Sequence, residues 1–305
     1  MYDTIIIGAG PAGVTAAIYA ARKKLKTLLI SPDIGGQILG TWEIENYPAL
    51  ISATGVSLSQ KFTEHLKQFA IKIEKEKVAA ITKDQPSGFE VKTQKKNFKT
   101  KTLILAMGKK PRELSVPGES KFKNKGVTYC ATCDGPLFAN KIVAIAGGGN
   151  SGLETAIQMD KIAKKIYLIE NGAICKGDPL LLDRVKSSKK TQVLTQTKIT
   201  EIFGQNLVKG IKIENIKTGK VEKIVLDGIF VEIGSMPNSQ LVKNLVILDK
   251  NNKIKIDKFC HTNVKGIFAC GDITNVAYEQ IIIAAGEGAK AAISAFNYLA
   301  KQKTK

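Results

Sequence analysis

Arginine is scarce in this chain. Of 46 basic residues only Arg22, Arg112 and Arg184 are arginines, although the formal net charge over 305 residues is +19. A nucleic-acid reader usually gathers arginine and aromatic residues on one face. Here aromatics make up 6% and the lysines run the whole length, in small clusters such as Lys121-Phe122-Lys123-Asn124-Lys125. The charge reads as a solvated, lysine-rich surface, with steering of an acidic protein partner as the sharper alternative. No nucleic-acid partner is expected. Histidine is scarcer still: His65 and His261 are the two, and neither stands at a metal-ligand spacing from Cys130 or Cys133, so no metal is expected. No uninterrupted apolar run approaches the ~20 residues of a membrane helix. A strand-like run, Thr4-Ile5-Ile6-Ile7, begins almost at once, which leaves no room for a signal peptide. A cytoplasmic protein without a membrane partner is expected. Five cysteines, an odd number with no export signal, do not suggest a structural disulfide framework.

What is present is glycine in two informative places. A unit of strand, G-x-G-x-x-G, helix and strand occurs twice, from about Thr4 to Ile30 and from about Lys141 to Glu170. Two such units predict an α/β chain of two doubly wound domains with parallel sheets, in keeping with the length and a hydrophobic fraction of 44%. Apolar runs at 102–105, 228–231 and 266–269 predict further strands, 211–224 alternates like a hairpin, and 279–299 reads as a closing helix.

In the first turn, Gly8 permits the tight bend, Gly10 lets a pyrophosphate approach the backbone, and Gly13 lets helix and strand pack closely, with Pro11 and Ala12 opening the helix. The helix N-terminus then offers N–H groups to phosphate. The acidic ribose ligand of the fingerprint is missing in plain form; Ser31 or Asp33 could serve. The second turn is Gly147-Gly148-Gly149-Asn150-Ser151-Gly152, and the strand after its helix ends on Glu170, at the fingerprint's acidic position. A carboxylate there can accept from both ribose hydroxyls and would repel the extra phosphate of NADPH; the bland alternative is a solvated strand end. Lys176 is the one nearby group that could still attract that phosphate.

Between the two turns lies Cys130-Ala131-Thr132-Cys133-Asp134. Cysteines at i and i+3 can face each other across one turn, with Cα atoms about 5.5 Å apart, within disulfide reach. Outside an oxidising compartment such a pair is more often redox-active or metal-binding. Asp134 adjoins it as a candidate general acid–base, or as a helix cap before Gly135-Pro136. Cys175, Cys260 and Cys270 read as structural or inert thiols, and His261 as a surface residue without an evident partner.

Together these residues resemble the low-molecular-weight thioredoxin reductase family from end to end. The likeness rests on Gly8 to Gly13, Gly35-Gly36-Gln37, Glu45-Asn46-Tyr47-Pro48, Cys130 to Asp134, Gly147 to Gly152, Gly234-Ser235-Met236-Pro237-Asn238, Gly271-Asp272 and Gln280-Ile281. Within the family the phrases at 126–130, 133–138, 147–152 and 280–284 are most similar to the reductase portion of the flavoprotein that serves alkyl hydroperoxide reductase. That flavoprotein carries an additional N-terminal thioredoxin-like module, whereas this sequence opens at the first turn. The resemblance therefore implies a separate thioredoxin- or glutaredoxin-like protein as acceptor.

The resemblance implies two Rossmann-like domains. The FAD domain would be discontinuous, 1–112 with 246–305, and the NAD(P)H and dithiol domain, 113–245, inserted into it. Asp272 resembles the ligand of the FAD ribityl chain, and Gly36, Gln37, Asn46, Gly108, Gly271, Gln280 and Ile281 fall on flavin-contact positions. Electrons would pass from the nicotinamide to FAD, then through Cys133, on the flavin side, to Cys130, which attacks the partner's disulfide. A homodimer and hinges near 111–117 and 237–245 are implied too. Two departures stand out. NADPH-dependent members typically carry His-Arg-Arg-x-x-x-Arg where this chain has Glu170, Asn171, Gly172 and Lys176, so NADH is expected over NADPH. The usual Ala-Thr-Gly reads Ala106-Met107-Gly108. Alternatives are the same dithiol flavoenzyme fed by ferredoxin or another non-nicotinamide donor, and a flavoprotein scaffold or nucleic-acid binder.

Overall fold

The computed structural model describes residues 1–41, 44, 46–84 and 88–303, without the side chains of 40, 132, 133 and 303. The chain divides into two compact units, Met1–Lys110 with Pro237–Lys305, and Pro111–Met236.

The first unit is built on a seven-stranded sheet. Strands Lys72–Glu74, Thr27–Ile30, Tyr2–Ile7, Asn97–Leu105 and Ile267–Ala269 run parallel in that order. The start of the long Asn97–Leu105 strand also pairs antiparallel with Phe89–Thr93, which pairs with Val78–Lys83. The central strands are apolar on both faces because both faces are covered: Ile5, Ile6, Leu28, Leu29, Leu103 and Ile104 are wholly buried. On one face the helices Pro11–Arg22 and Ile281–Lys303 lie against each other. Small side chains allow the approach. A Cβ on Gly288 would sit 2.0 Å from the carbonyl oxygen of Ala12, and Ala16, Ala291 and Ala292 are buried in the same core. The closing helix starts and ends a few residues later than the sequence pattern suggests.

The second unit has a five-stranded, all-parallel sheet in the order Thr191–Leu194, Lys165–Ile169, Ile142–Ala146, Gly228–Val231, Val127–Thr128. Helices Asn150–Asp160 and Pro179–Ser187 flank it, and a three-stranded antiparallel sheet, 197–225, contains the expected hairpin.

The two chain crossings pair as a short ribbon, Lys109–Pro111 with Ser235–Pro237. Residues 237–245 belong with the first unit, because Val242 and Val246 sit in its core beside Ile267 and Ile273. That places the second crossing several residues ahead of the expected 245/246. Among the described residues no helix is long and apolar enough to cross a membrane.

Candidate nucleotide and dithiol sites

The first turn follows the strand Tyr2–Ile7, and Gly8 adopts φ 99°, where a Cβ would lie 2.3 Å from the Ala106 carbonyl oxygen. Gly10 is the N-cap of the following helix, and no side chain caps it. A Cβ on Gly10 would meet only the Gly35 carbonyl oxygen, at 3.7 Å. The space over this helix N-terminus is therefore open, and its backbone N–H groups face it. Around the turn the fold gathers most of the expected flavin-contact positions. Gly35 donates to the Ala9 carbonyl at 2.8 Å, and a Cβ on Gly36 would meet Gly10 Cα at 3.3 Å. The Gln37 amide lies beside Gly108, and a Cβ on Gly271 would touch that of Ala12. Asn46 Nδ2 donates to Gln280 Oε1 at 3.2 Å, just before Ile281 opens the closing helix. Glu45 and Trp42 lie outside the described residues.

Asp272 is half-buried and makes no hydrogen bond with a described residue. Burial pushes its carboxyl up, the nearby Glu279 adds to this, and Lys109 and Lys253 oppose it. Burial would also raise Glu279, but hydrogen bonds from Lys109 and from Lys253, the latter at 2.7 Å, outweigh it and hold that carboxyl below its ordinary value. A half-buried acceptor without a donor, next to an open and uncapped helix N-terminus, suits a ligand carrying both hydroxyls and phosphates. These residues fit FAD. Of the two residues expected at the adenosine end, Ser31 is buried and Asp33 accepts from Gly36 N–H at 3.1 Å.

The second turn has the same construction. Gly149 is an N-cap with no side-chain cap, and a Cβ there would meet nothing within 4 Å. Glu170 is more than a solvated strand end. Its Oε2 accepts from Gly148 N–H at 2.7 Å and its Oε1 from Gly172 N–H at 2.6 Å. Asn150 Oδ1 accepts from Asp178 N–H at 2.7 Å, which fixes the following loop against the turn. Ser151 and Lys176 are exposed. The buried Cys175 thiol lies against Gly148 and is pushed up by burial and by Glu170. Beneath the turn Glu232, accepting from Thr155 Oγ1 at 3.2 Å, is pushed up to about 7, chiefly by burial and further by Glu154.

The dithiol turn is the helical segment Ala131–Asp134, in the same unit as the second nucleotide turn. Cys130 is disulfide-bonded, whereas Cys175, Cys260 and Cys270 are free and buried. The side chain of Cys133 lies outside the described residues. Asp134 N–H donates to the Cys130 carbonyl at 3.1 Å and closes the turn. The Asp134 carboxylate does not cap the following short helix; it accepts from Thr128 Oγ1 instead. Gln158, buried, donates to the Ala131 carbonyl at 3.1 Å. Beside Cys130, Tyr129 donates to Glu119 at 2.7 Å, and burial together with that bond pushes the phenol well up. Glu119, 4% exposed, also accepts from the N–H groups of Leu114 and Ser115. Thr128, Gln158 and Glu119 escape sequence reasoning. Thr128 stands two residues before Cys130 in a strand-like phrase, and nothing in its spacing marks it as polar machinery.

Of the remaining groups, Cys270 is pushed well up by burial, and Cys260 to about 12 for the same reason. His261 does have a partner: its Nδ1 lies 2.9 Å from Asp257 Oδ2.

Residues 2–288 match the family model described as pyridine nucleotide-disulphide oxidoreductase. The chain belongs to this family. Among solved structures it is similar to the thioredoxin reductase of Lactococcus lactis, at 34% identity and TM-score 0.93, with 99% of this chain and 100% of that one covered. The thioredoxin reductase of T. acidophilum matches at 34% identity and TM-score 0.90, over 97% and 98% of the two chains. Among curated proteins, the F component of the Escherichia coli alkyl hydroperoxide reductase is 41% identical over 308 residues, covering 99% of this chain and 59% of that protein. The chain thus spans about three-fifths of the length of the curated relatives it matches. It has the mixed α/β fold of the thioredoxin reductases.

Proposed function

We propose that the protein is a thioredoxin-disulfide reductase that takes electrons from NADH in preference to NADPH and delivers them to a small thioredoxin- or glutaredoxin-like protein. The observation that carries this reading is the disulfide-bonded Cys130, placed in one compact unit with a second, uncapped nucleotide turn. FAD, when bound, supplies the two-electron link between nicotinamide and disulfide.

Everything else falls to the chain. In the first unit the Gly8–Gly13 turn and helix N-terminus bind pyrophosphate, and Asp272 accepts from a ribityl hydroxyl. Gly36, Gln37, Asn46, Gly108, Gly271, Gln280 and Ile281 shape the flavin pocket. In the second, Gly147, Gly149, Asn150 and Ser151 receive the nicotinamide cofactor's pyrophosphate. Each Glu170 oxygen keeps a lone pair beyond its backbone bond and can accept from a ribose hydroxyl. The negative charge disfavours a 2′-phosphate, and the exposed Lys176 favours one. Cys133 receives electrons, Cys130 attacks the partner's disulfide, and Asp134 takes and returns the proton. We place this activity in the cytoplasm and in a homodimer. The similarity to the F component of alkyl hydroperoxide reductase points to a peroxide-reducing chain of reactions, entered through a separate thioredoxin-like module.

Parallel anaerobic titrations with NADH and NADPH at the flavin band test the reading, followed by addition of oxidised thioredoxin. Bleaching at lower NADH than NADPH, then reoxidation by thioredoxin, is expected. Bleaching by neither nicotinamide would move the donor to a ferredoxin-like protein.

A further inference from the structure

Thr128 ends the strand Val127–Thr128, is 4% exposed, and is paired in register with Phe230 of the neighbouring strand. Its hydroxyl touches both ends of the dithiol turn. The oxygen accepts from Cys130 N–H at 3.2 Å, and the hydroxyl lies 2.5 Å from Asp134 Oδ2 and 3.5 Å from the Cys130 carbonyl. A hydroxyl has one hydrogen to give. The distances assign it to Asp134, a charge-assisted bond of the stronger kind. Threonine is stiff at χ1, so the hydroxyl is a fixed post.

We propose that Thr128 is a positioning residue for thiol–disulfide exchange: its hydroxyl occupies Asp134 Oδ2, leaves Oδ1 to handle the proton, and locks the carboxylate to the Cys130 end of the turn. This rests on the reading of Cys130 and Asp134 given above. In the exchange Cys130 loses its proton to Asp134 and attacks one sulfur of the partner's disulfide. The partner's S–S bond breaks, and the departing sulfur takes that proton back. The second thiol of the pair then gives its proton to Asp134 and attacks the Cys130 sulfur, the mixed disulfide breaks, and the second partner sulfur takes that proton and leaves as a thiol. Two electrons pass from the dithiol to the partner. The carboxylate acts twice, each time on a different sulfur, so its orientation must survive the first transfer. A bond from a buried hydroxyl that does not itself exchange protons provides this.

The test compares Thr128→Val and Thr128→Ser, each alone and combined with Asp134→Asn. Valine matches the shape of threonine, and Thr128→Ala is read alongside it should the valine protein fail to fold. Each protein is reduced with dithiothreitol, desalted and mixed by stopped flow with 5,5′-dithiobis(2-nitrobenzoate) from pH 5.5 to 9. The other cysteines are buried, so the fast phase reports the dithiol. Thr128→Val is expected to slow that phase about tenfold and to alter its pH profile. Thr128→Ser should restore the rate to within about twofold, and Thr128→Val should add nothing to Asp134→Asn. A Thr128→Val protein at the wild-type rate overturns the proposal. So does a serine variant as slow as the valine one, or an undiminished valine effect on the Asp134→Asn background. An Asp134→Asn protein that reacts at the full rate would instead remove the acid–base reading, and the proposal with it.

Discussion

The carboxylate of Glu170 and the N–H of Gly148 are hydrogen-bonded at 2.7 Å, so the end of one strand braces the glycine turn that follows another. The acid proposed to select the nucleotide is thus hydrogen-bonded into the turn proposed to hold its phosphates. Glu170→Gln exchanges one acceptor oxygen for a donor facing a backbone N–H. It is expected to weaken nicotinamide-nucleotide binding at least about tenfold, the worth of one hydrogen bond to a charged group. Glu170→Arg is expected to invert the order of the two nicotinamides. Equilibrium titrations of the oxidised protein with NAD and NADP in parallel check both.

Two glycines three residues apart in the first turn should answer alanine differently. A Cβ on Gly13 would sit 1.8 Å from the Gly8 carbonyl oxygen, so Gly13→Ala must push helix and strand apart. Gly10 has φ −72° and open space beside it, so Gly10→Ala costs the empty protein little and takes room from the pyrophosphate. Thermal melts of flavin-free protein should show a large drop for Gly13→Ala and little change for Gly10→Ala. Fluorescence titration with FAD should show at least about tenfold weaker binding for Gly10→Ala.

Glu232 gives the protein a pH dependence of known sign. Its carboxyl is held at about 7 in the folded chain, chiefly by burial, against about 4.3 unfolded. Between those values the folded chain keeps a proton that the unfolded chain has lost. This group's contribution therefore declines as pH rises from about 4.3 to 7 and is flat above, a span of up to about 4 kcal/mol. Glu232→Gln keeps the shape and removes the titration. Melts across pH 5 to 8 should show the variant more stable at pH 8, with a flatter profile than the wild type between 5 and 7. Equal slopes would mean that Glu232 is not the group responsible.

Cys130→Ser separates the two halves of the reaction. NADH should still bleach the flavin, while reduction of thioredoxin falls below about one hundredth of the wild-type rate, since a serine hydroxyl does not replace a thiolate nucleophile. Cys260→Ser and Cys270→Ser should leave that rate unchanged, because burial holds both thiols protonated.

The two nucleotide turns were legible because their logic is local. Glycine at 8, 10 and 13, or 147, 149 and 152, is demanded by a strand turning into a helix within a few residues. The candidate site residues beyond them rest on likeness to a family. What remained hidden is settled by folding. The hydroxyl of Thr128 meets Asp134 across the dithiol turn, and Glu119 gathers donors from a loop on one side and Tyr129 on the other. Asp257 finds His261 at a helix-like spacing outside any helix. Likewise the side chain of Met107 plays no part in the bonds its neighbour makes: Asn238 donates to the carbonyls of Met107 and Gly108, at 2.8 and 3.0 Å.

The ribbon formed by the two crossings means that each unit closes on itself at its own cut ends. In the second, Arg112 N–H meets the Gly234 carbonyl at 2.9 Å; in the first, Asn238 N–H meets that of Gly108 at 3.0 Å. Cutting the chain at both crossings leaves two bodies whose severed ends already lie side by side. The inserted module is then expected to fold when expressed alone, and its host when sealed with a short linker, which circular dichroism and thermal melts of the two pieces check. A protein whose parts can be separated in this way could have been assembled from them.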